Sequence, residues 1–267
     1  MTGLAYPDIS PIIFEIGPFA LRWYSMAYLI GILAGWWLVS KRVGKYELPL
    51  SKKNLEDIAF YMTLGIILGG RLGYVLFYGQ GIFWTNPLEI FEIWHGGMSF
   101  HGGIIGVIAA LWLVSRKIKY DFLALTDLVS PVVPIGIFLG RLANFANDEL
   151  WGRATDVAWA VRFPRGGFVA RHPSQIYEAL LEGVLMFIIL NLAWRSKFFR
   201  GKQGLISAMF LLCYAGFRAF CEQFREPDAQ IGFLLFHTTM GQLLSLPALI
   251  IGIYLLVRAF YRVHKQN

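Results

Sequence analysis

The feature that most constrains this chain is a series of apolar runs, each about the 20 residues a helix needs to cross a hydrocarbon core ~30 Å thick. Seven can be read, at about 20–39, 57–78, 98–115, 123–143, 174–194, 204–222 and 240–260. Composition agrees. Of the 267 residues, 57% are hydrophobic and 15% charged, and the mean hydropathy is +0.55; soluble domains average about 45–50% apolar and about 25% charged. In lipid each span has to satisfy its own backbone hydrogen bonds. The expectation is an all-α integral membrane protein of seven transmembrane helices, a single polytopic domain over 1–267.

The charges set the orientation. Every lysine lies in a segment that follows an odd-numbered span: Lys41, Lys45, Lys52 and Lys53 after the first, Lys117 and Lys119 after the third, Lys197 and Lys202 after the fifth, Lys265 after the seventh. Excess Lys and Arg marks cytoplasmic loops, so the N-terminus is expected outside and the C-terminus inside. The net charge of +7 then expresses topology, and no nucleic-acid partner is expected. The stretch MTGLAYPDISPIIFEIGP lacks the basic region of a secretory signal peptide, so span one is expected to be kept. Cys213 and Cys221 share span six and read as small packing residues rather than a disulfide.

The connection from 144 to about 173 is the long one, and it lies on the outer side. Its VAWAVRF stretch alternates and is followed by a Pro-Arg-Gly-Gly turn signal, which predicts a small extramembrane cap with a β-ribbon. Connections of this length are often lids. The glycines of spans two and three (Gly65, Gly69, Gly70, Gly73; Gly102, Gly103, Gly106) predict close helix packing.

Ionisable residues inside spans are costly and face a bundle interior or a wet cavity. They are Arg71, His101, Asp127, Arg141, Glu178, Glu182, Arg218 and Glu222. Span direction sorts them: His101 opens span three, Arg141 ends span four, Glu178 and Glu182 open span five, and Arg218 and Glu222 end span six, all toward the outer leaflet. Tyr24 opens span one there. Tyr214, Arg218 and Glu222 form an i, i+4, i+8 stripe on one helical face. Arg141 and Arg218 have two readings, as partners in structural ion pairs or as bidentate donors to a phosphate. Arg71, at mid-span, reads as structural. Asn144 and Asn147 either bond head-group oxygens or cap span four, and Glu149 either orients an arginine or is solvated. His101, among glycines at a helix start, reads either as a structural histidine or, since the helix dipole disfavours imidazolium there, as a neutral ring able to act as a general base. Ser99 and His101 point apart on a helix and GMSFH is not G-x-S-x-G, which argues against a serine hydrolase. No nucleotide loop or H-E-x-x-H pattern is present and the five histidines show no ligand spacing; neither metal nor cofactor is expected.

Five motifs in one order, LRWYSMAY, GGMSFHGG, GRLANFANDELWG, RHPSQIYEA and YAGFRAFCEQFREPDAQ, resemble those of the bacterial prolipoprotein diacylglyceryl transferases, and the match spans nearly the whole chain. One departure is Ala146, where the family signature more typically has Ile or Val. The resemblance implies an enzyme of the bacterial cytoplasmic (inner) membrane, working at the periplasmic leaflet. It would transfer the diacylglyceryl group of phosphatidylglycerol to the lipobox cysteine of preprolipoprotein signal peptides, releasing glycerol 1-phosphate. Carried over by motif, His101, Arg141 and Arg218 are the catalytic candidates. Tyr24, Asn144 and Gly152 join the two arginines in binding phosphatidylglycerol, and Glu149, Glu222 and Tyr214 support them. The alternative is a membrane lipid transporter or phospholipid-binding protein, which would continue its polar residues to the inner face; spans three, four and six look apolar at their cytoplasmic ends.

Overall fold

A bilayer-spanning helix inverts the usual surface. In the computed structural model the side chains that point outward are Leu29, Leu33 and Trp37, then Ile105, Ile108 and Trp112, then Ile250, Tyr254 and Val257. Such continuous apolar exposure is rare on soluble proteins and is what lipid solvates. The structure describes residues 3–17, 19–77, 88, 97–227, 232–234 and 238–264. Tyr78 at the end of span two, His95 and Gly96 of the glycine–histidine motif, His237, and the Asp228–Gln230 end of the last motif lie outside the described residues.

The helices are α1 (Trp23–Lys45), α2 (Lys52–Phe77), α3 (Phe100–Ile118), α4 (Phe122–Ala146), α5 (Ser174–Arg195), α6 (Leu205–Cys221) and α7 (Met240–His264), with one extra turn at Lys197–Arg200. Among the described residues six of these are long and apolar enough to span; α6, with 17 residues, is the shorter one, about 25 Å at 1.5 Å per residue. The first helix begins at Trp23, close to the expected start near residue 20; Phe19–Arg22 before it forms a strand paired antiparallel with Ile12–Ile16. The spans are helical as expected, and the strands lie outside them. Both cysteines are free.

The chain divides into two compact units, residues 36–126 and residues 1–35 with 127–267. In the first, α2 and α3 meet glycine to glycine. A Cβ built on Gly69 would stand 2.7 Å from Gly106 Cα, and one on Gly73 would stand 2.7 Å from Gly102 Cα. Only a bare backbone permits this approach. Ser99 starts α3 as its N-cap, its hydroxyl accepting from Gly102 N at 3.2 Å. Arg71 is buried, donates to the Gly97 carbonyl at 3.3 Å and lies over the Tyr74 ring, consistent with a structural role.

In the second unit, α4 contains a 3-10 turn at Ser130–Val132 around Pro131, and Asn191 donates to the Pro131 carbonyl at 3.0 Å. Asp127, one of the acids expected within spans, accepts from Gly204 N (2.6 Å), Ser207 N (2.7 Å) and the Ser207 hydroxyl (2.7 Å). It caps the start of α6 from another helix, and that structural role explains its burial. The cap contains the expected ribbon in two short strands, Val161–Arg162 and Ala170–Arg171, joined by the 164–167 turn. An unexpected third strand, Leu4–Ala5, pairs parallel with Val161–Arg162. Phe163, fully buried, is the centre of this cap, with the Tyr6, Phe145 and Trp151 rings at 5.6, 5.8 and 6.2 Å.

The glycine seam yields a test. Gly106→Val is expected to lower the melting temperature in detergent, since overpacking costs about 1–3 kcal/mol. Gly216→Ala, whose Cβ would meet nothing within 4 Å, should leave it unchanged or slightly raised.

Candidate active site

The second unit gathers the polar residues of α4, α5 and α6 into one buried ionic cluster. Arg141, three residues before Asn144 near the end of α4, directs Nε to Glu178 Oε2 at 2.8 Å and Nη2 to Glu182 Oε2 at 3.1 Å. Arg218, on the last turn of α6, places Nη1 3.2 Å from the same Glu178 oxygen and pairs Nη2 with Glu222 Oε1. Arg225, just beyond α6, donates to Glu178 Oε1 at 3.3 Å. Three guanidinium groups and three carboxylates thus balance one another in an interior where Glu178 and Glu182 are 1% and 0% exposed. Buried charge persists only when paired and hydrogen-bonded.

Local backbone makes this convergence possible. Residues Ala179–Leu185 of α5 form a π-helical segment, a rare widening that tends to mark functional sites. Within it, a Cβ on Gly183 would stand 2.7 Å from Phe138 Cβ. That glycine lets α4 approach α5 closely enough for Arg141 to reach both glutamates.

A second polar group lies beside it in sequence. Tyr24, in the first turn of α1, donates its hydroxyl to Glu149 Oε1 at 2.7 Å, and Asn144 donates Nδ2 to that same oxygen at 3.0 Å and to the Tyr24 hydroxyl. Glu149 therefore ties α1 to the end of α4. Asn147 is the C-cap of α4, its N–H donating to the Ala143 carbonyl, which fits the capping alternative. Tyr214 is within electrostatic reach of Glu182, Arg218 and Arg141.

Gly152 marks where the cap meets the end of α6. Its N–H donates to the His172 carbonyl at 2.8 Å, and a Cβ there would stand 2.5 Å from the Phe224 carbonyl oxygen and 2.6 Å from His172 Cβ. No other residue fits. Arg153 beside it donates to the carbonyls of Arg225 (3.0 Å) and Glu222 (3.2 Å), satisfying acceptors left at the helix end. His172 lies against Phe224 and Tyr177. Burial, with the charge of Arg153 second, lowers its pKa from the ordinary value of 6.5. Asp148 accepts the Arg165 backbone N–H at 2.6 Å, and burial pushes its carboxyl up.

The structure thus brings Arg141, Arg218, Glu222 and Tyr214 together, and separately Tyr24, Asn144 and Glu149. His101 belongs to the other unit. There it occupies the first turn of α3, exposed, its ring edge-on to Phe100. Arg225 and Arg153 escaped the sequence reading. The first lies past the end of an apolar run and the second bonds to backbone carbonyls, neither of which leaves a pattern. Glu178 and Glu182 were visible as intramembrane acids, but their hold on both arginines was not.

Fold and site together define a multi-pass membrane protein built around a buried arginine–glutamate cluster. A family model described as prolipoprotein diacylglyceryl transferase matches residues 11–258. The chain is 51% identical over 256 residues to the phosphatidylglycerol–prolipoprotein diacylglyceryl transferase of Rickettsia felis, covering 96% of this chain and 99% of that one. It is 50% identical over 255 residues to that of Rickettsia bellii, covering 96% and 97%. The relative from Rickettsia canadensis is 51% identical over 249 residues, 93% of this chain and 96% of its own. The chain belongs to the prolipoprotein diacylglyceryl transferase family.

Two tests follow from the geometry. Gly152→Ala is expected to detach the cap from the end of α6, read as faster limited proteolysis within 150–172 while the spans stay intact. For His172 the folded pKa lies below the unfolded one, so below about pH 6.5 the unfolded chain takes up a proton that the folded cap refuses. Cap protection should therefore fall as pH drops from 7.5 to 5.5, and His172→Gln should flatten that slope.

Proposed function

We infer that this chain transfers the diacylglyceryl group of phosphatidylglycerol to the lipobox cysteine thiol of preprolipoproteins, forming a thioether and releasing glycerol 1-phosphate. The observation that carries the reading is the clamped state of Arg141. Two of its nitrogens are held by glutamates, its side chain is 16% exposed, and Nη1 has no partner among the described residues. A guanidinium fixed in this way presents a ready donor to an anion.

The chemistry needs such a donor. A thiol of pKa about 8.5 is only a few per cent ionised at pH 7 but is strongly nucleophilic. His101 removes its proton, helped by a helix start that keeps the ring neutral. Sulfur attacks the glyceryl carbon, the carbon–oxygen bond breaks, and negative charge grows on the departing phosphate. Arg141 and Arg218 meet that charge, already oriented by Glu178, Glu182 and Glu222, so little reorganisation remains for the reaction itself. Tyr24 and Asn144, oriented by Glu149, bind the polar head of phosphatidylglycerol. Tyr214 supports the cluster, and Gly152 lets the cap lie against the end of α6.

The same reading has α6 complete a set of seven spans, the N-terminus on the periplasmic side and the C-terminus in the cytoplasm, in a bacterial cytoplasmic (inner) membrane. The basic segments after α1, α3, α5 and α7 support it. Residues 144–173 form a periplasmic cap over a single polytopic domain, and the site opens to the outer leaflet. No metal or cofactor enters the reaction.

The test is purified protein given phosphatidylglycerol and a lipobox peptide. Glycerol phosphate should appear only with both present, and Arg141→Lys, which loses the planar fork, should lower turnover roughly 100-fold. Release without peptide would mean a hydrolase, and no release with both would overturn the transferase reading in favour of lipid binding or transport. If His101→Gln kept near-normal turnover, His101 would not be the base.

A further inference from the structure

The stretch Thr-Thr-Met-Gly-Gln at 238–242 has no part in the motifs of the sequence analysis, yet the start of α7 joins α4, α5 and α6 at the cluster. Glu222 engages Arg218 through Oε1, and its other oxygen accepts from the Thr239 hydroxyl at 2.6 Å. Thr239 is only 3% exposed. Its hydroxyl also accepts from Gln242 N at 3.3 Å, while Gln242 Oε1 accepts from Thr239 N at 3.1 Å. This is a capping box with Gln at the third helical position. A hydroxyl has one proton and two lone pairs; here the proton goes to Glu222 and a lone pair to the helix. Two residues on, a Cβ at Gly241 would stand 2.5 Å from Glu222 Cδ and 3.0 Å from Arg218 Nη2. The first turn of α7 is thus shaped around a carboxylate belonging to α6, and its dipole favours that negative charge.

We propose that Thr239 and Gly241 are positioning residues for the transfer reaction: they fix the Glu222 carboxylate, and through it the Arg218 guanidinium, in the orientation that meets the leaving phosphate. The inference rests on the transferase reading for its consequence and on the geometry alone for the linkage. Arg218 is stretched between Glu178 on α5 and Glu222 on α6. Released by Thr239, the Glu222 carboxylate can turn toward Arg225, whose Nε lies 3.9 Å from Oε1, and Arg218 loses its second anchor. A hydroxyl is required and a methyl is not, so serine replaces threonine and valine does not.

The experiment compares Thr239→Val, Thr239→Ser and Gly241→Ala, purified in detergent, for kcat and KM of glycerol phosphate release and for melting temperature. A hydrogen bond to a charged group is worth about 10-fold to 100-fold in rate. Thr239→Val and Gly241→Ala should lose that much in kcat with KM within about threefold, and Thr239→Ser should recover to within about threefold of the parent. A normal kcat in Thr239→Val, or a Thr239→Ser protein as slow as the valine variant, would overturn the proposal. A parent protein that releases no glycerol phosphate instead defeats the transferase reading. The linkage is then decided by melting temperatures of Thr239→Val, Glu222→Gln and the double variant: a double variant no less stable than Glu222→Gln supports it, and additive losses overturn it.

Discussion

Everything in the larger unit depends on how six charges, five of them buried and Arg141 partly so, are kept in balance. Arg141, Arg218 and Arg225 face Glu178, Glu182 and Glu222, and Glu178 alone touches all three arginines. Removing one partner from a buried set leaves an uncompensated charge, which costs about 3–5 kcal/mol, whereas apolar replacements of the same volume often stabilise. A network of this size is therefore poor economy for stability alone. Its value is orientation: guanidinium groups held from behind by carboxylates have their remaining donors already directed.

The backbone is adapted to that network at several points. The π segment of α5 and the bare backbone at Gly183 bring α5 and α4 together where Arg141 must reach. Gly241 leaves room for the Glu222 carboxylate, and Gly152 lets the cap cross the end of α6. Asp127, on the same helix as Arg141, makes the contrast clear. Its carboxylate takes three donors from the start of α6, Gly204 N, Ser207 N and the Ser207 hydroxyl, and so holds a helix end. The two kinds of buried acid look alike in sequence and differ in what surrounds them.

Much of this was legible from the chain, because lipid imposes simple rules. Apolar runs had to become helices, since no other open structure satisfies its backbone in hydrocarbon, and α2 to α5 and α7 fall within a few residues of where hydropathy put them. Charged residues within spans had to face inward and find partners, which brought Arg141, Arg218 and Glu222 to one level before any geometry was known. What escaped was tertiary. The Phe19–Arg22 strand is as apolar as the helix it precedes, so hydropathy ran the two together. Arg153 bonds to carbonyls, Thr239 acts through a single hydroxyl, and Leu4–Ala5 finds its partner more than 150 residues away; contacts of that kind have no period to detect. The glycines were visible, but which of them meets a helix and which meets a carboxylate was not.

The central claim is that Arg141, clamped by Glu178 and Glu182, receives the phosphate of the lipid substrate. It is tested most directly by the affinity of the purified protein for phosphatidylglycerol in nanodiscs, compared with Arg141→Gln at matched melting temperature. Binding weakened by about tenfold or more, the worth of a charge-assisted hydrogen bond, is the expected result. Unchanged affinity in a folded Arg141→Gln protein would contradict it and return the cluster to a purely structural role.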